Sequence, residues 1–255
     1  MTPGPRPRSS LPAPSGPSGP AGEPAGAWPA GRDARLALFD LDHTLLSGDS
    51  DVLWCDFLMD AGVLERAAFQ PRNDEMARHY RDGSVTAQDF CAFYVSTLAG
   101  RTLEEWMPWC RRFMAEVVAP RIPASARELV ESHRQRGDRL VMTTATNRVL
   151  TALTAQHLGI ADLLATEVEV VDGCCTGRPA GVLNMREGKV ARLAAWLAEQ
   201  GLAGAEALAD ATFYSDSSHD LPLLQAVGRP IAVDPDERLR AHATTAGWRV
   251  IELRR

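Results

Sequence analysis

The chain of 255 residues is 45% hydrophobic and 24% charged, a composition typical of a folded globular protein. Its net charge of −6 gives no bulk electrostatic case for binding nucleic acid, and no apolar stretch reaches the length of about 18 residues that a membrane span needs. Five cysteines without a Cys-x-x-Cys pair argue against a disulfide scaffold or a zinc ribbon. We therefore expect a cytoplasmic protein that binds neither nucleic acid nor membrane; the sequence carries no signal for its oligomeric state.

Residues 1–33 differ in composition from the rest of the chain. They hold nine of the 17 prolines and almost no aliphatic side chains, so they cannot bury enough apolar surface to offset the entropy of ordering. We expect a disordered Pro/Gly-rich tail. No apolar segment follows Arg6 and Arg8, which argues against a secretory signal.

From residue 36 onward, apolar runs alternate with helical patterns. Leu36–Phe39 predicts a buried strand. The next segment predicts helices only, interrupted by breaks. These helices span Val52–Asp60, Glu65–His79, Thr86–Leu98 and Leu103–Val118, and the breaks fall at Gly62, Pro71, Gly83 and Gly100.

After Pro123 the sequence predicts strands and helices in turn. The helices span Ala124–Arg136, Arg148–Leu158, Lys189–Gln200, Leu221–Val227 and Glu237–Ala246. The strands span Arg139–Thr144, Ala165–Val171, Ala211–Tyr214, Pro230–Val233 and Trp248–Leu253, with a hairpin-like, glycine-rich segment over 173–188. Strands separated by helices imply an α/β fold with a doubly wound parallel sheet. We predict that 34–47 and 121–255 form this core and that 48–120 is an inserted helical cap.

Polar residues follow three of the predicted strands, where the carboxyl ends of parallel strands form a ligand crevice. Asp40 and Asp42 follow the first strand. Thr144 is the last residue of a second strand, and Asn147 follows that strand. Asp216 follows a third strand. Asp220 lies four residues further on, near a helix start. Carboxylates this close repel one another, so a divalent cation is expected between them, and oxygen donors suit Mg²⁺.

Lys189 is the only lysine in the chain, and it lies beside the glycine-rich segment. A compact cation retained where arginine is otherwise used suits a phosphate contact. Each of these residues also has a structural interpretation as a solvated strand end, a turn, a helix cap or a surface charge. Their joint occurrence, each after an apolar strand or loop in this order, favours a functional site.

This joint pattern resembles the haloacid dehalogenase-like superfamily of phosphohydrolases over residues 35–255. Asp40-Leu41-Asp42-His43-Thr44-Leu45 matches the first motif, Thr144 the second, Lys189 the third, and Asp216 with Asp220 the fourth. The inserted helices look like the cap of the phosphoserine-phosphatase-like branch. The chain departs from many relatives in carrying Ser215 and Ser217 where they have glycines.

The resemblance implies a Mg²⁺-dependent phosphatase of Rossmann-like fold acting on a small phosphate ester. Asp40 would be the nucleophile and Asp42 the general acid and base. Asp40, the backbone carbonyl of Asp42 and Asp216 would hold Mg²⁺. Thr144 and Lys189 would bind the phosphoryl oxygens, and Asp220 would orient Lys189 or the surroundings of the metal. The side chain of His43 is expected to point away from the site.

The leaving group is less constrained. Asp49 falls where phosphoserine phosphatases place a glutamate that holds the substrate amine, but the position of their carboxylate-binding arginine falls near Tyr94, with Arg101 displaced. The segments around Asp49, Asn147 and Asp216 look like the bacterial branch assigned as histidinol-phosphatases. Trp54 is either a stacking partner for an imidazole or a core residue of the cap, and Asp49 and Asn147 are either substrate contacts or helix caps.

We expect histidinol phosphate as the substrate, with phosphoserine or a broad range of phosphomonoesters as alternatives. The alternatives from other classes are a phosphotransferase such as a phosphomutase, a binding protein without activity, and a nuclease. Retention of all four motifs argues against a binding protein without activity. The net negative charge of the chain argues against a nuclease.

Overall fold

The computed structural model describes residues 35–202 and 204–253, and its seven strands form one sheet in the order β4-β3-β2-β1-β5-β6-β7. The predicted tail lies outside the described residues. The strands are β1 Leu36–Phe39, β2 Arg139–Asn147, β3 Asp162–Val171, β4 Cys174–Ala180, β5 Thr212–Ser215, β6 Arg229–Val233 and β7 Arg249–Ile251. All neighbours pair in parallel except β3 and β4, which form an antiparallel hairpin; the segment predicted to be hairpin-like over 173–188 supplies only its second strand. The predicted α/β class is confirmed.

Four α-helices come directly after β1, and six more come later in the described part of the chain. The first four are α1 Ser50–Asp60, α2 Arg66–Asp82, α3 Ala87–Val95 and α4 Leu103–Phe113, the last continuing into a π-helical turn, Met114–Val118. The others are α5 Ala124–Gln135, α6 Arg148–His157, α7 Glu187–Glu199, α8 Gly204–Ala209, α9 Leu221–Ala226 and α10 Glu237–Ala246. None of the described helices is long and apolar enough to cross a membrane.

Two elements differ from the prediction. The break expected at Pro71 is absent, because this proline lies inside α2, where it removes one backbone hydrogen bond without ending the helix. The short helix α8 was not predicted; its six residues are too few to show a periodic apolar pattern.

The alternation of side chains along the strands divides the core into two layers. Leu38, Val141 and Phe213 face one layer, which packs against the helices that follow β4. Phe39 and Tyr214 face the other layer. That second cluster continues into the four helices after β1 and includes their fully buried aromatic residues, among them Trp54, Phe57, Trp106 and Phe113.

The sheet order brings the functional segments together. β1 lies between β2 and β5, with Phe39 in register with both Met142 and Tyr214. The segments after these three parallel strands therefore meet at one edge of the sheet. The inserted helices also bind the outer strand: the Cys175 amide donates to the Arg101 carbonyl at 2.8 Å, and the Gly100 amide donates to the Cys175 carbonyl at 2.9 Å.

Candidate active site

Asp40 and Lys189 form the buried centre of the cleft at the carboxyl end of β1. Lys189 lies in the first turn of α7 and is only 3% exposed. Its Nζ donates to Asp40 Oδ1 and to Asp220 Oδ2, both at 2.7 Å. Ser215 Oγ donates to the same Asp220 oxygen at 2.7 Å. One lysine thus holds two carboxylates that come from opposite ends of the chain.

Asp42 is fixed by hydroxyl groups from two directions. Its Oδ1 accepts from the amide and the hydroxyl of Ser50, at 2.7 and 2.6 Å. Its Oδ2 accepts from Thr146 Oγ1 at 3.0 Å and from Thr144 Oγ1 at 3.3 Å. Ser50 begins α1, whereas the two threonines belong to the irregular end of β2. Ser50 and Thr146 were not singled out in the sequence, because hydroxyl residues at helix starts and strand ends are usually caps.

Asp216 follows β5 and is fixed by the loop after β1. Thr44 Oγ1 donates to Asp216 Oδ1 at 2.9 Å, and the Asp216 amide donates back to the same hydroxyl at 3.0 Å. Asp40 and Asp216 line one cleft with Asp42, Lys189 and Asp220. The predicted acids and the lysine are therefore adjacent in space.

Burial and neighbouring charges shift the pKa values of the acids in this cleft. Burial raises the pKa of Asp40 to about 7, although Lys189 lowers it. Burial, with Asp40 nearby, likewise raises the pKa of Asp216 well above its usual value. Burial by itself lowers the pKa of Lys189, but Asp220 and Asp40 raise it above its usual value. The lysine stays charged, and the carboxylates together exceed the charge that it can balance.

The donor set at this point suits Mg²⁺. Two carboxylates, Asp40 and Asp216, and the backbone after Asp40 offer oxygen only, as a hard cation requires. Within residues 35–202 and 204–253, no three His, Cys, Asp or Glu side chains converge as a metal cage. A site made of two carboxylates and one backbone carbonyl does not need a third side chain.

The insert closes the cleft from above. Tyr80 and Phe90 line it opposite the sheet, and Tyr80 packs against His219 with ring centroids 4.6 Å apart. The cavity volume is about 30 Å³, which is close to the share of one water molecule. In this structure the insert therefore leaves little free volume in the cleft.

Three side chains of the sheet domain hold the insert in this closed position. Each donates a hydrogen bond to a backbone carbonyl of the segment that ends α2. His219 Nε2 donates to Tyr80 at 2.9 Å, Arg186 Nη2 to Val85 at 3.0 Å, and Arg238 Nη2 to Asp82 at 3.4 Å. These contacts were not predictable from the sequence, because each arginine or histidine lies far along the chain from its partner.

Asp49 is a helix cap that also lines the cleft. It caps α1, with Oδ1 accepting from the amides of Asp51 and Val52 at 2.9 and 3.0 Å, and it also lines the cleft. Burial, then the charge of Asp42, raises its pKa to about 7. The neighbouring Asp51 is 2% exposed, and burial raises its pKa well above its usual value. Asp42 and Asp49 thus line the cleft, with the carboxyl group of Asp51 buried next to them.

The structure decides between the two roles left open for Trp54 and for Asn147. Trp54 is fully buried among aromatic residues of the insert, and its Nε1 donates to Thr97 Oγ1 at 3.1 Å. Asn147 is buried and caps α6 through the Leu150 amide. Neither lines the cleft, so we leave both out of the substrate contacts. His43 and Thr146 are among the residues that line the cleft, whereas Thr144 is fully buried.

Comparisons with known proteins agree on one family. A family model described as haloacid dehalogenase-like hydrolase matches residues 37–225. A histidinol-phosphatase of Neisseria meningitidis is 37% identical over 86% of this chain and 99% of that protein. A phosphoserine phosphatase of Mycobacterium tuberculosis is 32% identical over 86% of this chain and 70% of that protein. A solved structure of a Bordetella pertussis protein of unknown function is 44% identical, with a TM-score of 0.81 over 86% of this chain and 98% of that one.

Proposed function

The chain belongs to the haloacid dehalogenase-like hydrolase family and is a phosphoric monoester hydrolase, and from this premise we propose that it is a Mg²⁺-dependent phosphatase of histidinol phosphate. The observation that carries the proposal is the buried group of Asp40, Lys189 and Asp220 beside Asp216, at the end of β1. This grouping supports a nucleophilic role for Asp40, because its carboxylate lies next to one cation suited to a phosphoryl group.

Asp40 attacks phosphorus and forms an aspartyl-phosphate, while the ester oxygen leaves. Lys189 holds Asp40 in place before the attack and pairs with phosphoryl oxygens during it, because its Nζ lies 2.7 Å from the attacking carboxylate. Asp220 and Ser215 fix the lysine from behind. Asp40, Asp216 and the carbonyl of Asp42 would hold Mg²⁺. When bound, the ion would neutralise charge that otherwise repels the nucleophile.

Asp42 supplies the proton for the leaving oxygen and then takes one from the water that hydrolyses the intermediate. Its carboxylate accepts from four donors in the closed cleft. The Thr144 hydroxyl is the most distant of them at 3.3 Å. Release of this donor opens one acceptor position on Asp42 Oδ2 for the proton, while Thr146 Oγ1 still donates to that oxygen, and it frees the Thr144 hydroxyl for a phosphoryl oxygen.

The carboxyl groups around Asp49 support a leaving group that carries an amine. Asp42, Asp49 and Asp51 lie together, and none of them forms a salt bridge within the described part of the chain. An ammonium group on the substrate would compensate these charges. No arginine lines the cleft among the described residues, so a substrate carboxylate would lack a bidentate partner.

The aromatic wall supports an imidazole on the same leaving group. Tyr80 packs against both Phe90 and His219 with ring centroids 4.6 Å apart. A planar, partly charged ring can stack on such a surface. Phosphoserine is the second candidate substrate. It is favoured by the 32% identity between this chain and a phosphoserine phosphatase. A phosphomutase would use the same aspartyl-phosphate but would not release phosphate into water.

A phosphate-release panel tests the proposal. Histidinol phosphate, phosphoserine, two sugar phosphates and p-nitrophenyl phosphate are compared by kcat/KM with Mg²⁺, with EDTA, and with Mg²⁺ restored. We expect the highest value for histidinol phosphate, loss of activity in EDTA, and no turnover by Asp40→Asn. Higher values for phosphoserine would move the assignment to the second candidate. Full activity in EDTA, or in Asp40→Asn, would refute the mechanism.

The role of Asp49 is tested by separating its charge from its helix cap. Asn is also a good N-cap residue, so Asp49→Asn keeps the cap of α1 and removes only the charge. We expect KM for histidinol phosphate to rise at least tenfold while KM for p-nitrophenyl phosphate changes less than twofold. Equal effects on both esters would limit Asp49 to its structural role.

A further inference from the structure

A second cavity lies near the amino ends of the strands, away from the active-site cleft. Its volume is about 400 Å³, its floor is the face of β5, β6 and β7, and α5 forms one side. It shares no lining residue with the cleft. Arg229 and Arg249 are the first residues of β6 and β7, and Arg35 directly precedes β1. The catalytic acids, in contrast, follow the last residues of their strands.

Four arginines line this cavity: Arg35, Arg136, Arg229 and Arg249. The only carboxylate in its lining is Asp138, which is already bound to the ring of His133 at 2.7 Å and to Arg136 at 3.3 Å. The lining therefore carries three more positive than negative charges, in a chain whose net charge is −6.

Two of these four arginines lack an ion-pair partner in the described part of the chain. Arg35 and Arg249 form no ion pair with any described residue, and both are exposed. Arg229 reaches only the exposed Asp210, at 3.5 Å. Arg249 pairs in register with Ile231, two residues along from Arg229 on the neighbouring strand. Parallel strands lie about 4.8 Å apart, so the two guanidinium groups start from adjacent positions on one face.

The floor of the cavity is partly apolar. Tyr214 and His133 are buried beneath it, with Tyr214 Oη 2.8 Å from His133 Nε2. Ile231 and Ile251 add aliphatic surface. A cavity of this size accommodates a small molecule. Guanidinium groups bind carboxylate and phosphate oxygens through paired hydrogen bonds, and an anion between them removes their mutual repulsion.

We propose that this cavity is a binding site for a small polyanion that carries at least two phosphate or carboxylate groups. The site is separate from the substrate cleft. It touches the catalytic strand through Tyr214, whose ring stacks on Phe39 at 5.2 Å and whose carbonyl accepts from the Asp40 amide at 2.9 Å.

Calorimetric titration with pyrophosphate and, separately, with tricarballylate tests the proposal on the full chain, in metal-free buffer at constant ionic strength. Arg229→Gln/Arg249→Gln removes two charges from the cavity. Arg127→Gln/Arg240→Gln is the matched control. Both arginines are exposed and lie outside the cavity lining, and their substitution removes the same amount of charge. We expect the first variant to weaken binding at least tenfold and the control less than twofold. Preference for one probe identifies the anionic group.

Two results would overturn the proposal. One is the absence of binding of either probe to the unmodified protein. The other is binding that survives in Arg229→Gln/Arg249→Gln as well as it does in the control, which would place the anion elsewhere, including in the substrate cleft. Phosphate release by both variants shows that they are folded. The proposal does not depend on which ester the enzyme hydrolyses.

Discussion

Lys189 balances the charge of two buried acids, and its removal is the most severe single change that the cleft offers. Lys189→Met leaves Asp40 and Asp220 buried without their shared donor. Breaking a buried ion pair in this way costs about 3–5 kcal/mol. We expect that loss in the free energy of unfolding, measured in urea, and complete loss of phosphate release.

The double variant Lys189→Met/Asp220→Asn separates charge from packing. It removes one of the two uncompensated carboxylates while the site stays inactive. We therefore expect the double variant to be more stable than Lys189→Met alone. Equal stability of the two would mean that the cost comes from lost packing around the lysine and not from buried charge.

His133 makes the stability of the protein depend on pH. It is buried between Asp138 and Tyr214, and burial lowers its pKa below the usual 6.5 although Asp138 raises it. The unfolded chain thus takes up a proton at a higher pH than the folded protein does. The neutral form of His133 stabilises the folded protein above about pH 6.5. This contribution to the free energy of unfolding is lost as the pH falls toward the lower pKa that His133 has in the folded protein.

Urea unfolding between pH 7.5 and 5 measures this effect. Relative to His133→Gln, the unmodified protein should lose stability more steeply below about pH 6.5, by at most about 1.4 kcal/mol per pH unit. His157→Gln is the control, because His157 is exposed on α6. Parallel curves for all three proteins would show that His133 does not carry the effect.

At the scale of the element, the start of α7 determines where the lysine stands. A Cβ atom added to Gly188 would lie 1.9 Å from the Leu183 carbonyl oxygen, so the helix start must shift to accept any side chain. We expect Gly188→Ala to lower kcat at least tenfold and to lower Tm, because Lys189 is the next residue. Phosphate release and thermal unfolding measure the two effects.

Gly204→Ala is the matched control for this element. Gly204 begins α8, and an added Cβ would meet nothing within 4 Å. Alanine is favoured over glycine in helices by about 1 kcal/mol, so Tm should stay the same or rise and kcat should not change. Similar losses in both variants would remove the steric explanation for Gly188.

Most elements were predictable because their patterns are local. The apolar runs of β1, β5 and β6 and the stripes of α1 and α5 indicate the type of element, and the predicted ends differ from the observed ones by at most two residues. β2 continues to Asn147 instead of ending at Thr144, through an irregular register between those two residues. That extension depends on pairing with β3, which local propensity does not report.

The candidate site was predictable to a different degree at each position. Asp40, Lys189 and Asp216 could be placed together because each follows a strand or opens a helix at the same edge of a parallel sheet. Ser50 and Thr146 were missed, since their role comes only from the fold around Asp42. The burial of Trp54 was left open by the sequence, because an aromatic residue on an inserted helix suits either a core or a ligand.

At the scale of the whole molecule, the insert and the sheet share one hydrophobic cluster. It joins Phe39 and Tyr214 of the sheet to Trp54, Trp106 and Phe113 of the insert, all of them buried. Two bodies with separate cores can unfold separately, but a shared core couples them. We therefore expect the insert to open by small hinge motions in the folded protein and to unfold only together with the sheet.

Phe113→Ala tests this coupling from the side of the insert. Removing a fully buried phenylalanine costs about 3–5 kcal/mol. Hydrogen exchange should show the same loss of protection at the Asp40 amide, bonded to the Tyr214 carbonyl at 2.9 Å, as at the Trp106 amide in the first turn of α4. Loss confined to the insert would show that the shared cluster does not transmit stability, because the sheet would then keep its protection while the helices above it unfold.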